Sequence, residues 1–457
     1  MLRTILVFAI LVPGVIASLS NRFAALLMYL WFAMFRPQDF IWFDITNLRL
    51  SVLLGLILVV PALFSGIVPD VKHPLSAGMV LFVLAAGLAQ LATRYPENSW
   101  PWLDQLVRLV VVTLLAIRLV DTPRRFLLVI AVITVSLGFY STKAGLVSIL
   151  GGGTRYFDGL SGAFTDNNGY ALAVTMILPL FLVLTQNVAV LVGGHVSDST
   201  ARWLRWGLMA CLPLNALTVI STFSRGGFLA LVASAGSLAF LQRRKGGFVA
   251  LLGFGALAGL TLAPMPSGYL DRLETIRIDE RVQEDSALSR LHFWQVAVDM
   301  FADRPFGVGL FNYEPEFDRY DSSRGRFGTE RSVHSSYFQV LAETGILGTA
   351  SFVGLLVYSL RVLARIRTRS KDDESRDEVR EFLFTTSNGL IASMVAFMVG
   401  GAFLAGALND LTWLTFGLVV SLDRLSWPMS APSRGEATPL EAAPRLAVIT
   451  QEGTVLP

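Results

Sequence analysis

The chain has 457 residues, 53% of them hydrophobic and only 16% charged, with a formal net charge of +3 and a mean hydropathy of +0.58. That balance excludes a soluble globular domain of this size and points to a protein whose solvent is largely the lipid bilayer. The single cysteine, Cys211, excludes an intrachain disulfide and a thiolate metal site, and the four histidines lack any metal-ligand spacing, so no metal and no cofactor is expected.

Apolar blocks of bilayer-crossing length run through most of the chain. The first two, over 3–18 and 22–36, are short and parted only by Ser20, Asn21 and Arg22, so one of them could fall short of a full crossing. The first lacks the charged run and the small-residue cleavage site of a signal peptide and reads as a retained helix. Further spans follow at 49–66, 75–93, 103–120, 126–148, 169–192, 203–221, 226–241 and 247–263. After a long polar interval come 337–360, 382–403 and 406–424. The expected fold is an all-α polytopic membrane protein of about 12 transmembrane helices. The boundaries expected are 1–263 for the N-terminal helices, 264–336 for a helical outer loop, 337–424 for the C-terminal helices and 425–457 for a disordered cytoplasmic tail.

Short basic loops set the orientation, because Arg and Lys resist translocation. DTPRR at 121–125, QRRK at 242–245 and RVLARIRTRSK at 361–371 fall on one side, taken as cytoplasmic. The 264–336 interval then lies outside; it holds nine Arg, no Lys and thirteen acidic residues. A structureless connection of that length is improbable. Within it, DSALSRLHFWQVAVDMFADRPFG recurs at helical spacing, with Asp285 or Ser286 as cap and an end before Arg304 and Pro305.

Three residues stand out chemically. Arg225, in STFSRGGFLAL, sits at the outer end of a span; Arg290 lies on the loop helix; His334 begins the helix that re-enters the membrane. Guanidinium groups present a planar fork that matches phosphate oxygens, so two near a membrane surface suit a diphosphate. A snorkelling anchor for Arg225 and an ion pair with Asp285 or Asp299 for Arg290 are the plainer alternatives. His334 faces the positive end of its own helix, which lowers the imidazole pKa and leaves a neutral ring able to act as general base; a capping histidine without chemistry is the alternative. Lys143, Arg155, Asp166, Asn167 and Tyr337 are secondary candidates for substrate binding, with helix capping the commoner role for Asp166, Asn167 and Asn168. Glu343, nine residues further on, requires a partner below the surface. GGG at 151–153 lacks the Lys and Ser/Thr of a nucleotide loop.

The segments FSRGGFLAL at 223–231, SRLHFWQVAVDMFADRPFGVGLFNY at 289–313 and HSSYFQVLAETGILG at 334–348 resemble hallmark segments of the O-antigen ligase and polymerase superfamily. GFYSTKAGLVSILGGG at 138–153, SGAFTDNNGYALAVTMILPL at 161–180 and the early RPQDFIWFDI are similar to the branch of O-glycosylation ligases, so that the resemblance covers roughly 30–425. It implies a metal-independent, inverting glycosyltransferase of the bacterial inner membrane, working on its periplasmic face without a nucleotide. The implied donor is a glycan on undecaprenyl diphosphate and the implied acceptor a hydroxyl of the lipid A core oligosaccharide, in lipopolysaccharide biosynthesis; no nucleic acid is involved. The family's essential residues map by motif onto Arg225, Arg290 and His334. A polymerase or a protein O-glycosylation ligase would use the same donor, and a lipid or glycan transporter, from another class, would show a similar number of spans. Transporters place ionisable groups near the midplane, whereas here most charges lie at span ends.

Overall fold

The computed structural model describes residues 2–41, 45, 48–150, 166–242, 280–371 and 377–427, with the backbone alone over 280–287. Among these, helices form all the regular structure. The expected span at 247–263, the GGG segment with Arg155 and the tail from 428 lie outside the described residues.

The helices are α1 (Leu2–Ser20), α2 (Arg22–Phe35), α3 (Pro37–Phe40), α4 (Leu50–Phe64), α5 (Pro74–Leu91), α6 (Pro96–Leu119), α7 (Pro123–Leu150), α8 (Asn167–Gln186), α9 (Val188–Val192), α10 (Asp198–Ser221) and α11 (Arg225–Leu241). After the interval come α12 (Glu280–Asp303), α13 (Tyr313–Tyr320), α14 (Ser336–Arg369), α15 (Glu378–Gly400) and α16 (Asp410–Ser426). Among the described residues seven helices, α1, α5, α7, α8, α10, α14 and α15, are long and apolar enough to cross a membrane, and α2, α4 and α11 are shorter apolar helices. The chain is an all-α polytopic membrane protein.

The bundle is organised around α8 and α15. In each, 78% of the apolar window is buried by protein, against 17% for α1, which therefore lies at the periphery. Close approach here depends on small residues, as lipid supplies no hydrophobic drive between helices. A Cβ on Gly145 of α7 would stand 2.1 Å from the Leu214 carbonyl of α10, and one on Gly389 of α15 would stand 2.2 Å from Val183 of α8. Polar side chains stitch the same contacts: Thr218 donates to the Ser141 carbonyl at 2.5 Å, and Asn187 donates to Thr385 at 2.9 Å.

Two expectations are corrected. The loop helix starts at Glu280 rather than beside Asp285 or Ser286, so neither residue caps it. Its first turns, Glu-Arg-Val-Gln-Glu, are rich in strong helix formers and prolong it backwards. The span expected at 337–360 is not one continuous helix either, because α14 is interrupted at Gly345 (φ 63°, ψ −158°).

The interruption is filled by the chain that follows α12. The Ala342 and Glu343 carbonyls accept hydrogen bonds from Val308 at 2.9 Å and Gly309 at 3.0 Å, while Ile346 donates to the Pro305 carbonyl at 2.9 Å. Backbone groups orphaned by the break are thus satisfied from outside the helix. Only glycine fits at the crossing: a Cβ on Gly307 would lie 2.3 Å from the Glu343 carbonyl, at a φ of +95°. The Glu343 carboxylate is buried and accepts from Gln339 at 3.3 Å and from the Phe311 and Tyr313 amides, which supplies the partners its depth requires.

The same 304–320 stretch docks on the turn between α5 and α6. Asn312, fully buried, reaches Thr93, the Tyr95 carbonyl at 3.3 Å and the Val308 carbonyl at 3.2 Å, and receives Asn98 at 2.9 Å. Phe311 stacks on Trp102 with centroids 3.6 Å apart, and Glu316, 1% exposed, takes Arg94 at 3.1 Å and Arg304 at 3.8 Å. Replacing Asn312 by alanine strands several of these groups at about 1–3 kcal/mol for each buried one. The expected result is faster proteolysis within 304–320, measured on detergent-purified protein; an unchanged cleavage rate would show the hub to be dispensable.

Candidate active site

Three helix N-termini meet at one end of the bundle. Asp166 caps α8, accepting from the Gly169 amide at 3.0 Å. Ser224 caps α11, accepting from Gly227 at 3.0 Å, and its hydroxyl donates to Asn168 at 2.7 Å. Asn168 in turn donates to Asp166 at 3.1 Å, so a single polar chain ties the two starts together. Phe223, in the left-handed region at φ 55°, turns the chain into α11. Gly227 lets α11 come so near α8 that a Cβ there would lie 2.5 Å from Ala171.

Between these starts and the loop after α15 lies a cavity of about 290 Å³, whose lining includes Asn168, Ser224, Arg225, Gly226, Arg290 and Phe403. Arg225 is the first residue of α11, and Arg290 reaches the cavity from α12. Among the described residues neither guanidinium has a carboxylate within ion-pairing distance; Asp299, one expected partner of Arg290, instead accepts from Gln295 at 2.9 Å. Two cations with no carboxylate in ion-pairing distance among the described residues, together with the positive ends of α8 and α11, give this cavity the character of an anion site.

His334 is held between two anchors. Val333, 1% exposed, sits in a small core with Phe293, Met300, Val308 and Phe317. On the other side the Ser336 amide donates to the Gly401 carbonyl at 2.7 Å and its hydroxyl to the Leu404 carbonyl at 2.7 Å. His334 takes the turn between them in a left-handed conformation (φ 48°), which a side chain adopts only when its surroundings enforce it. Its ring lies 6.2 Å from that of Phe293.

Burial holds the His334 imidazole below its ordinary value, and the positive charges of Arg290 and Arg331 push in the same direction, with Asp166 partly opposing them. The direction is the one expected from the start of its helix, but desolvation and two arginines cause it. Electrostatic coupling to both Arg290 and Asp166 joins His334 to the residues around the cavity.

The other candidates separate. Asp166 is a helix cap, Asn167 opens α8 and Lys143 is exposed on α7; none of the three lines the cavity. Tyr337 gives its hydroxyl to the Met398 carbonyl at 2.7 Å, a tie between α14 and α15. His292 is paired with Asp321 at 2.6 Å. Burial works against that carboxylate's charge, yet hydrogen bonds from Ser323, Gly325 and His292 lower its pKa to about 2, which fixes the loop after α13. Ser224 and Arg331 went unnoticed in the sequence; the S/T-x-x-G spacing before an apolar run was the available signal for Ser224. Among the described residues no group of three or more His, Cys, Asp or Glu could hold a metal ion.

Fold and site together define a multi-pass membrane protein with an arginine-lined cavity and an adjacent histidine at one end of its bundle. Residues 208–353 match the family model for O-antigen ligase, so this part of the chain is similar to the O-antigen ligase superfamily. The matched segment runs from α10 past the break in α14 and contains Arg225, Arg290 and His334. Residues 2–190 match a family of unknown function. No curated protein matches the chain. That likeness supports a ligase- or polymerase-type function in glycan assembly, with lipid-linked glycan substrates in a membrane environment.

Proposed function

We propose that the protein transfers a glycan en bloc from undecaprenyl diphosphate to a hydroxyl of the lipid A core oligosaccharide, on the periplasmic face of the bacterial inner membrane. The observation that carries the reading is the pair of arginines that line one cavity, Arg225 and Arg290, the second of them acting electrostatically on His334. The sidedness rests on the basic end of α14: Arg361, Arg365 and Arg369 are exposed at the end remote from His334, as a cytoplasmic end would be.

The acceptor oxygen attacks the anomeric carbon, the bond from that carbon to the diphosphate oxygen breaks, and the acceptor proton passes to His334 Nδ1 or Nε2. A single displacement inverts the anomeric centre. Arg225 and Arg290 bind the diphosphate and stabilise the charge that grows on it as it leaves, the task a divalent cation performs in many glycosyltransferases. Asp166 tempers the positive field at His334, Asn168 and Ser224 shape the wall beside Arg225, and Tyr337 holds the helix that carries the histidine. Lys143, Asn167 and Arg155 stand as outer contacts for the donor.

The test is reconstitution of the purified protein with undecaprenyl-diphosphate glycan and, in turn, lipid A core, a second lipid-linked glycan and a Ser/Thr-bearing protein as acceptors. Product with the first identifies a ligase; product only with the others identifies a polymerase or a protein O-glycosylation ligase. Arg225→Ala and Arg290→Ala are each expected to lower transfer by roughly 10²–10³-fold, the usual cost of removing one stabiliser of developing charge. Donor binding at wild-type affinity in both variants would remove the diphosphate role. Saturable binding without turnover under every condition would favour a transporter.

A further inference from the structure

A second cavity has no part in the glycan-transfer reading. A groove of about 630 Å³ runs between α2, α4 and α6, within the segment matched only by the family of unknown function except where α16 closes it. It shares no lining residue with the arginine cavity. Its walls are aliphatic, and two of them, Val52 and Leu56, are 40% and 53% exposed, so it opens sideways where lipid would stand. From Ser51 to Val59 it follows α4 for about 12 Å at the helical rise, enough for a good part of one acyl chain.

One end is polar. Arg36, Gln38, Gln105, Arg108 and Asp410 gather there, with Tyr29 in electrostatic contact with Arg108 and Asp410. Asp410 opens α16, directly after the loop that anchors Ser336, so this rim faces the same side of the membrane as His334. The Oε1 atom of Gln38 is buried and, among the described residues, has no hydrogen-bond partner. Asp410 accepts from Gln105, and among the described residues no cation lies within ion-pairing distance of it. A carboxylate at this depth with only the more distant charge of Arg36 to offset it is expensive unless something charged comes to it.

The arginines are already partly neutralised by their own neighbours: Arg36 pairs with Asp39 at 2.6 Å and Arg108 with Asp104. A purely anionic headgroup would therefore meet little net positive charge. A headgroup carrying a phosphodiester and an ammonium side by side would meet both signs, its phosphate at the guanidinium groups and its N–H donors at Asp410 and Gln38. We propose that the groove between α2, α4 and α6 is a second lipid site, which holds a zwitterionic phospholipid bearing a primary amine, head at the rim and one chain along α4. The site is independent of the glycan-transfer reading.

Native mass spectrometry of the detergent-purified protein tests it, with dioleoyl phosphatidylethanolamine, its N-trimethylated counterpart phosphatidylcholine, and phosphatidylglycerol titrated separately. Wild type is expected to hold one phosphatidylethanolamine saturably and about tenfold more tightly than either other lipid, a difference near 1.4 kcal/mol. Asp410→Asn should bring the three lipids to near parity. Gly55→Trp fills the floor of the groove, where a Cβ would touch only the Tyr29 ring at 3.5 Å, and should abolish saturable binding of every lipid. Equal binding of the three lipids by wild type, or a preference that survives Asp410→Asn, would overturn the proposal. If Gly55→Trp fails to fold, the Asp410→Asn comparison decides alone.

Discussion

His334→Ala is expected to lower glycan transfer by about 10²–10⁴-fold, the range a positioned general base contributes, while leaving expression and donor binding intact. The pH dependence carries more information than the loss itself. His334 must be neutral to accept a proton, and burial with Arg290 and Arg331 keeps it neutral to lower pH than an ordinary histidine. The acid limb of transfer should therefore fall below the ordinary histidine value. Arg290→Gln removes a charge that lowers the pKa, so the limb of whatever activity remains moves up; Asp166→Asn removes a charge that raises it, so the limb moves down. Asparagine caps helices as well as aspartate does, so the second variant keeps the α8 start intact. Opposite displacements, read from single-turnover rates across pH, would identify His334 as the titrating group. Parallel or absent displacements would mean that another group sets the limb. The sign for stability is the same: a histidine kept neutral in the fold stabilises it above the unfolded-state pKa, and that contribution is lost as pH falls through the folded one.

Gly345→Ala is expected to be among the most damaging single-methyl additions. At φ 63° and ψ −158° the backbone occupies a region that side chains almost never enter, and the new Cβ would stand 2.1 Å from the Pro305 carbonyl. Strain and the forced withdrawal of the 305–309 strip should cost roughly 2–4 kcal/mol, with loss of transfer because His334 rides on the segment that the strip supports. Gly354→Ala is the matching control. That glycine lies in the same helix with nothing within 4 Å of its would-be Cβ, and alanine there should be neutral or slightly stabilising. Thermal midpoints in detergent measure both. Equal midpoints for the two variants would show that the break in α14 is not held by the strip.

The membrane class and nearly every described helix were legible in the sequence, since apolar blocks of fixed length are a local signal. Arg225 and Arg290, paired in the sequence on chemical grounds, line one cavity, and the downward direction at His334 was legible for an incomplete physical reason. What escaped was whatever depends on two distant segments at once. The break at Gly345 is invisible in an apolar run, because it is stabilised by the Val308 and Gly309 amides rather than by any nearby residue. The chain Asp166–Asn168–Ser224 joins two helix caps that looked separate. Tyr337, a candidate support for the donor or for the helix that carries His334, gives its hydroxyl to the Met398 carbonyl on a helix far off in sequence. The start of α12 was misplaced because polar helix formers carry no apolar period to mark them.

The clamp on the first part of α14 also constrains how the chain can change length. Ser336 is bound to the loop after α15, and Ala342, Glu343 and Ile346 around the break at Gly345 are bound to the strip after α12, so the residues between them act as a gauge block with both faces in contact. A residue inserted there would rotate one face by about 100° relative to the other and break one set of bonds. The turn at 321–331 is pinned mainly by Asp321 and ends in open surface, so it can lengthen or shorten without disturbing the gauge. The length of that turn is therefore free to vary while the spacing from histidine to glycine stays constant.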